Sequence, residues 1–179
     1  VTNNTLSNNS RGIMVNSNSG GTATITDNVI ENNSGEGISI ARPAATITGN
    51  TVRNNTRGIE ISHPDQTSPN IISNNLISGN SYGGLLINSD FGVYTIHNNH
   101  ILRNTGTYAA GAEIKIDAES QRSGEATVTI TDNVIANNVS TAISTGASIG
   151  GAVAGTGGAF FVRVHGQGVI SGNTVVHNT

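Results

Sequence analysis

Seven times along this chain an asparagine is followed, five residues later, by a second asparagine. The pairs are Asn4/Asn9, Asn28/Asn33, Asn50/Asn55, Asn75/Asn80, Asn99/Asn104, Asn133/Asn138 and Asn173/Asn178. Three residues before each first asparagine stands an aliphatic residue: Val1, Ile25, Ile47, Ile72, Ile96, Ile130 or Ile170. Two residues after it stands another: Leu6, Ile30, Val52, Ile77, Ile101, Ile135 or Val175. The first asparagines are separated by 24, 22, 25, 24, 34 and 40 residues. A period of 22–25 residues is too short for a helical hairpin and suits one coil of a parallel β-solenoid. Within a coil the alternation has the period of a strand, as in Ile25-Thr26-Asp27-Asn28-Val29-Ile30 and Gly37-Ile38-Ser39-Ile40. The fold expected is therefore all-β: a single-stranded parallel β-helix of about seven turns, with about three short strands in each.

Stacking gives the fixed asparagines a reason to stay. Coils pile at the ordinary strand separation, about 4.8 Å. An asparagine repeated at one corner can bond to its copies above and below, which satisfies an amide otherwise buried unpaired. A tight corner also needs left-handed backbone angles, which Asn and Gly adopt most cheaply, and the fixed asparagines are expected to take them. The Ile and Val columns point inward and make the core. This accounts for folding in a chain that is only 3% aromatic and 11% charged.

Composition removes several function classes. The formal charge is −3 with no basic run, so the electrostatic footprint of a nucleic-acid binder is absent. There is no cysteine for a disulfide or a thiolate zinc site, a usage that fits an extracellular or cell-surface protein. No apolar run is long enough for a membrane span. The sequence begins and ends inside a repeat, which reads as one domain, 1–179, cut from a longer β-helix with uncapped ends. Open ends are expected to be covered by further turns, by a partner, or by end-to-end or trimeric self-association of copies of the chain.

The segment 45–62, Ala-Thr-Ile-Thr-Gly-Asn-Thr-Val-Arg-Asn-Asn-Thr-Arg-Gly-Ile-Glu-Ile-Ser, and its sister segments resemble the right-handed parallel β-helix family, the pectate-lyase-like superfamily with short β-helix repeats. The resemblance runs over the whole chain. It implies a strand, an Asn corner, a second strand, an Asn-rich corner, and then a Gly-Ile-x-Ile strand equivalent to that superfamily's first sheet, PB1. It also implies that any active site lies on PB1 and its loops. It is silent on activity, because the superfamily holds lyases, hydrolases, epimerases, phage tailspikes and adhesins. Calcium is allowed as a cofactor by this analogy only; the sequence requires none and assigns no metal.

Interruptions of a repeat are where function collects. The inserted loops expected here are 105–112, 117–128 and 139–159, the last a Gly/Ala/Ser stretch read as a mobile loop or lid. If Ile40, Ile61, Ile87, Ile116 and Val164 share one inward column, the outward column before it reads Ser39, Glu60, Leu86, Lys115, Arg163. The one after it reads Ala41, Ser62, Asn88, Asp117, His165. Lys115, Arg163, Asp117 and His165 then form one cluster. Glu113 lies on the same strand, and Tyr108 leans over from the first loop.

That set suits an acidic sugar. Removing the proton next to a uronate carboxylate needs a cation for the developing enolate, a base, and an acid for the leaving oxygen. Arg163, with a planar fork that matches a carboxylate, is the candidate cation. Lys115 is the candidate base, His165 the acid and Asp117 its orienting partner. Some β-helix alginate and chondroitin lyases are similar in pairing a Lys and an Arg on this sheet. This chain departs from them in having no acidic cluster for calcium. Arg42, Glu60, His63, Tyr108 and Glu113 are the candidate substrate contacts.

A plainer reading stands beside this one: opposite charges on neighbouring strands stabilise any solvent-facing sheet. Two function classes therefore remain open. One is a secreted or surface module engaging polysaccharide, as a uronate-type lyase or epimerase or a glycoside hydrolase. The other is a non-catalytic stalk, fibre or surface-antigen segment.

Overall fold

A computed structural model describes residues 1–17, 21–62, 68–107, 109–116, 126–141, 148–149 and 160–179. Its regular structure is entirely β, and among these residues no helix is long and apolar enough to cross a membrane. The chain is a right-handed parallel β-helix. Each coil lays one strand into each of three sheets, and every strand pair is parallel. The coil at 44–62 shows the plan. Strand Ala44–Thr48 leads to a corner, Thr51–Arg53 to a second corner, and Arg57–Ser62 forms PB1.

The register follows the columns read from the sequence. In one sheet Ile25 pairs with Ile47, Ile47 with Ile72, Ile72 with Ile96, Ile96 with Ile130 and Ile130 with Ile170. In the three-residue strands Leu6, Ile30, Val52, Ile77, Ile101, Ile135 and Val175 form the equivalent file. From Ile25 to Ile130 and from Ile30 to Ile135 these side chains are buried. β-Branched side chains are stiff at χ1 and pack well on a pleated surface, so like-on-like stacking carries little rotamer cost.

Two asparagine ladders run along the axis at the two corners. In the first, the Nδ2 of each residue donates to the Oδ1 of its copy one coil on: Asn28 to Asn50 at 3.0 Å, Asn75 to Asn99 at 3.0 Å, Asn133 to Asn173 at 2.8 Å. Each backbone N–H donates to that same oxygen, as Asn50 N to Asn75 Oδ1 at 2.9 Å. The second ladder, from Asn33 through Asn138 to Asn178, repeats the arrangement. Among the described residues no buried side-chain nitrogen or oxygen lacks a partner.

One expectation about the corners is corrected. The ladder asparagines do not take the left-handed backbone; the residue before each of them does. At the first corner these are Asn3, Asp27, Gly49, Asn74, Asn98, Asp132 and Gly172, and at the second Asn8, Asn32, Asn54, Gly79, Arg103, Asn137 and His177. Turning and laddering are thus separate jobs on adjacent residues. The turning residue points to solvent and is free to vary. The laddering residue must be Asn, because only that side chain offers an acceptor and two donors at this length.

The inserts are also smaller than expected. Thr105–Gly106 pairs with Val139–Ser140 as an added two-stranded ribbon, and Ala126–Thr131 is already strand. Inside the 139–159 insert, Ser148–Ile149 pairs with Phe160–Val164 and extends PB1 by one strand, so this part is sheet and not lid. The rest of that insert, 142–147 and 150–159, and residues 117–125 lie outside the described residues.

Candidate functional site

PB1 stacks, in order, Ile13–Asn16, Glu36–Ala41, Arg57–Ser62, Leu85–Ser89, Ala112–Ile116 and Phe160–Val164. Alternation sends Ile38/Ile40, Ile59/Ile61, Leu85/Ile87 and Ile114/Ile116 inward, and every other residue faces outward. The outward face therefore consists of two main columns. The register of one expected column needs correction. Ile87 pairs with Ile114, not with Ile116, so Lys115 sits beside Asn88 and not beside Leu86. The true columns are Met14, Ser39, Glu60, Leu86, Glu113, Phe161 and Asn16, Ala41, Ser62, Asn88, Lys115, Arg163.

The last pairing expected from sequence is present: Lys115 and Arg163 are register partners on adjacent strands. Like charges placed directly opposite repel. Here Glu113, on the same face of the Lys115 strand, forms an ion pair with Lys115, and the Lys115 Nζ lies 5.9 Å from the centroid of the Phe161 ring. A cation at that distance over an aromatic face is attracted to it. The cluster of Glu113, Lys115, Arg163 and Phe161 thus occupies two neighbouring strands. Lys115 is about two-fifths exposed and Glu113 is mostly covered, at 16%.

His165 follows the Arg163 strand at an exposed bend, its backbone N–H donating to Ile116 O at 2.8 Å. Asp117, Tyr108 and His63 lie outside the described residues. Glu60 shares the column of Glu113 with Leu86 between them, so their backbones are two strand spacings apart, roughly 10 Å. Glu60 is bound to Arg57 at 3.3 Å. Arg42 occupies an exposed left-handed turn after the strand Glu36–Ala41, three coils from Lys115, and is not part of the cluster. Among the described residues no three His, Asp or Glu side chains converge as metal ligands do.

Two residues not expected from sequence adjoin this face. The Arg57 guanidinium lies 5.1 Å from the centroid of the Tyr82 ring. Tyr82, Arg57, Leu86, Thr107 and Glu113 are among the residues around a shallow open cavity of about 30 Å³, room for about two waters. Tyr82 sits in Ser81-Tyr82-Gly83-Gly84, the link between the second asparagine Asn80 and the PB1 strand, of the same length as Ser34-Gly35-Glu36-Gly37 in an earlier coil. An aromatic side chain in that link, where the coils before it carry none, was the available signal that the position is unusual. Further along the face, Arg11 and Glu36 form an ion pair at 2.6 Å. Burial pushes the Glu36 carboxyl up, but hydrogen bonds from its own backbone and from Arg11, with the charges of Arg11 and Arg57, outweigh this and hold it below its ordinary value.

A family model described as the right-handed beta helix region matches residues 1–179. Neither the search of curated proteins nor that of solved structures gives a match.

Proposed function

Since the chain belongs to the right-handed β-helix family along its whole length, a family defined by fold and not by chemistry, we propose a function from the mixed-charge face of PB1: it is a secreted or surface module that binds an acidic polysaccharide along that sheet. The observation that carries this reading is the register pairing of Lys115 with Arg163 beside Glu113 and Phe161. Two cations one strand apart, roughly 4.8 Å, offer a carboxylate a fork and a point charge together. The flanking carboxylate suits sugar hydroxyls, and the paired strands fix the backbones of all four residues, which lowers the ordering cost at binding.

Binding is favoured over turnover by one detail: Lys115 Nζ is engaged by Glu113 and Phe161, so the nitrogen assigned as base already has a carboxylate partner and an aromatic ring on it. Uronate lyase or epimerase chemistry with Lys115, Arg163, His165 and Asp117 is the second reading. It predicts that unsaturated uronate absorbance accumulates with a polyuronate substrate. The structural or adhesive alternative predicts no glycan affinity at all.

The test is calorimetric titration of the folded chain with a panel of polyuronates and neutral glycans at low and physiological salt. Binding of an acidic polymer that weakens with salt, and falls tenfold or more in Lys115→Ala or Arg163→Ala, is the expected result. A correctly folded chain that binds no polyuronate at low salt sinks the proposal.

A further inference from the structure

Aromatic side chains are scarce in this chain, and four of the five described ones, Phe91, Tyr94, Phe160 and Phe161, are buried. Tyr82 differs: it is 49% exposed. An exposed aromatic ring contributes little to the core, and this one is held in place. Its backbone N–H donates to Thr56 O at 2.6 Å, which ties the corner to the coil before it. The Arg57 guanidinium covers one side of the ring. Arg57 is in turn fixed by Glu60 and is only 17% exposed. One ring face is therefore backed by a cation that is itself anchored, while about half of the side chain stays open to solvent.

A pinned ring of this kind is suited to a flat, weakly polar ligand surface. The carbon–hydrogen face of a pyranose is such a surface: it packs on an aromatic face, gains area burial, and orients its C–H groups toward the ring's negative quadrupole. Beside Tyr82 lies the shallow cavity bordered by Leu86, Thr107 and Glu113. At about 30 Å³ it is too small for a sugar ring but large enough to take one substituent in place of its waters. Thr107 has a hydroxyl that can donate or accept, and the Glu113 carboxylate accepts. Glu113 is the residue that also reaches Lys115, so the cavity and the cation pair are continuous along the face.

We propose that Tyr82 is a stacking platform for one pyranose unit, with Arg57 as its positioning residue and Glu113 and Thr107 as hydroxyl contacts. This inference rests on the polysaccharide-binding reading and deepens it. The bound polymer lies across the strands, one unit on Tyr82 and an acidic unit reaching Lys115 and Arg163. Stacking is independent of ligand charge, so this subsite contributes affinity that salt does not screen.

The experiment compares wild type, Tyr82→Phe, Tyr82→Leu and Lys115→Ala, titrated with the acidic polymer that wild type binds best, across a salt series. Tyr82→Leu is expected to weaken binding tenfold or more with an unchanged salt slope. Tyr82→Phe should stay within about twofold, and Lys115→Ala should flatten the slope. The chain has no tryptophan, so tyrosine emission is readable; wild type should show a change on binding that Tyr82→Phe lacks. Unchanged affinity in Tyr82→Leu, with Lys115→Ala still impaired, overturns the platform and leaves the face standing. An emission change as large in Tyr82→Phe as in wild type also overturns it. Failure of wild type to bind any glycan removes the underlying reading, and the platform with it.

Discussion

Consider replacing Asn99 by alanine. Asn99 is fully buried in the middle of the first ladder. Its Oδ1 accepts from Asn75 N at 3.1 Å and from Asn75 Nδ2 at 3.0 Å. Its Nδ2 donates to Ile72 O, His97 O and Asn133 Oδ1 at 2.8, 3.1 and 2.9 Å. Truncation takes the side-chain acceptor from the Asn75 N–H and shortens the supply of partners at three oxygens. Asn75 Nδ2 keeps Ile47 O, and Asn133 Oδ1 keeps the Asn99 backbone N–H. One buried donor is left unpaired at about 1–3 kcal/mol, and the other losses are partial, so the total is about 3 kcal/mol. For a chain of this length that lowers the melting temperature by roughly 6–12 °C.

Far-ultraviolet circular dichroism during heating measures this, with Asn98→Gly as the control: the neighbouring residue is exposed, has φ of +51°, and its side chain makes a solvent-exposed bond, from Nδ2 to Asn74 Oδ1 at 2.8 Å, outside the buried ladder. The Asn75→Ala/Asn99→Ala double variant sharpens the test. Both single variants break the bond from Asn75 Nδ2 to Asn99 Oδ1, which the double variant loses only once, so the double variant should cost less than the two singles added, although the backbone N–H groups of Asn50 and Asn75 are left without their side-chain acceptors in it. If Asn99→Ala melts within about 2 °C of wild type, or if the two losses simply add, the ladder is not the stabilising device described.

Three other perturbations have definite outcomes. Gly37→Ala would bring a methyl within 2.5 Å of Val52 Cγ1, 2.8 Å of Gly58 O and 2.9 Å of Asn55 Nδ2; it should destabilise by about 1–3 kcal/mol, read by thermal melting. Arg103→Gly relieves a non-glycine left-handed backbone at φ +54° and should raise stability by about 1 kcal/mol; a lower melting point would mean that the Arg103 corner is not strained. The Glu36 carboxyl is held below its ordinary value of 4.5. Its contribution to stability is therefore present above that pH and lost as pH falls through the lower folded value. Glu36→Gln should flatten that part of the acid melting profile, and an unchanged profile refutes the assignment.

The columns were legible because each constraint is written seven times. An inward Ile or a ladder Asn misplaced in one coil is corrected by the other six. Where a constraint occurs once, sequence offered less. The slip at Ile114 shows why. Ala112-Glu113-Ile114-Lys115-Ile116 alternates with period two, and both isoleucines are buried, so a shift of two residues leaves every side chain on its own face. The hydrophobic pattern cannot choose between such registers. The Lys115–Arg163 pairing escaped the ambiguity because both strands end the same way, Ile114-Lys115-Ile116 beside Val162-Arg163-Val164.

The left-handed corner residue was hidden for a related reason. At 32–33, 54–55, 74–75, 98–99 and 137–138 both members are Asn, and either one tolerates the conformation. Tyr82 was missed because its significance is created by contact with Arg57, 25 residues earlier, and nothing local to Tyr82 announces that contact.

The ladders also give the axis a direction. In both files every Oδ1 turns toward the preceding coil, and the N–H groups of one coil feed the oxygens of the next. Parting the rod between any two coils would bare amide oxygens on one fragment and amide hydrogens on the other. Two identical broken faces could not satisfy each other, whereas unlike faces could. Fragments, duplicated coils or grafted repeats would therefore rejoin in a single sense, as a heterologous contact that propagates and does not close.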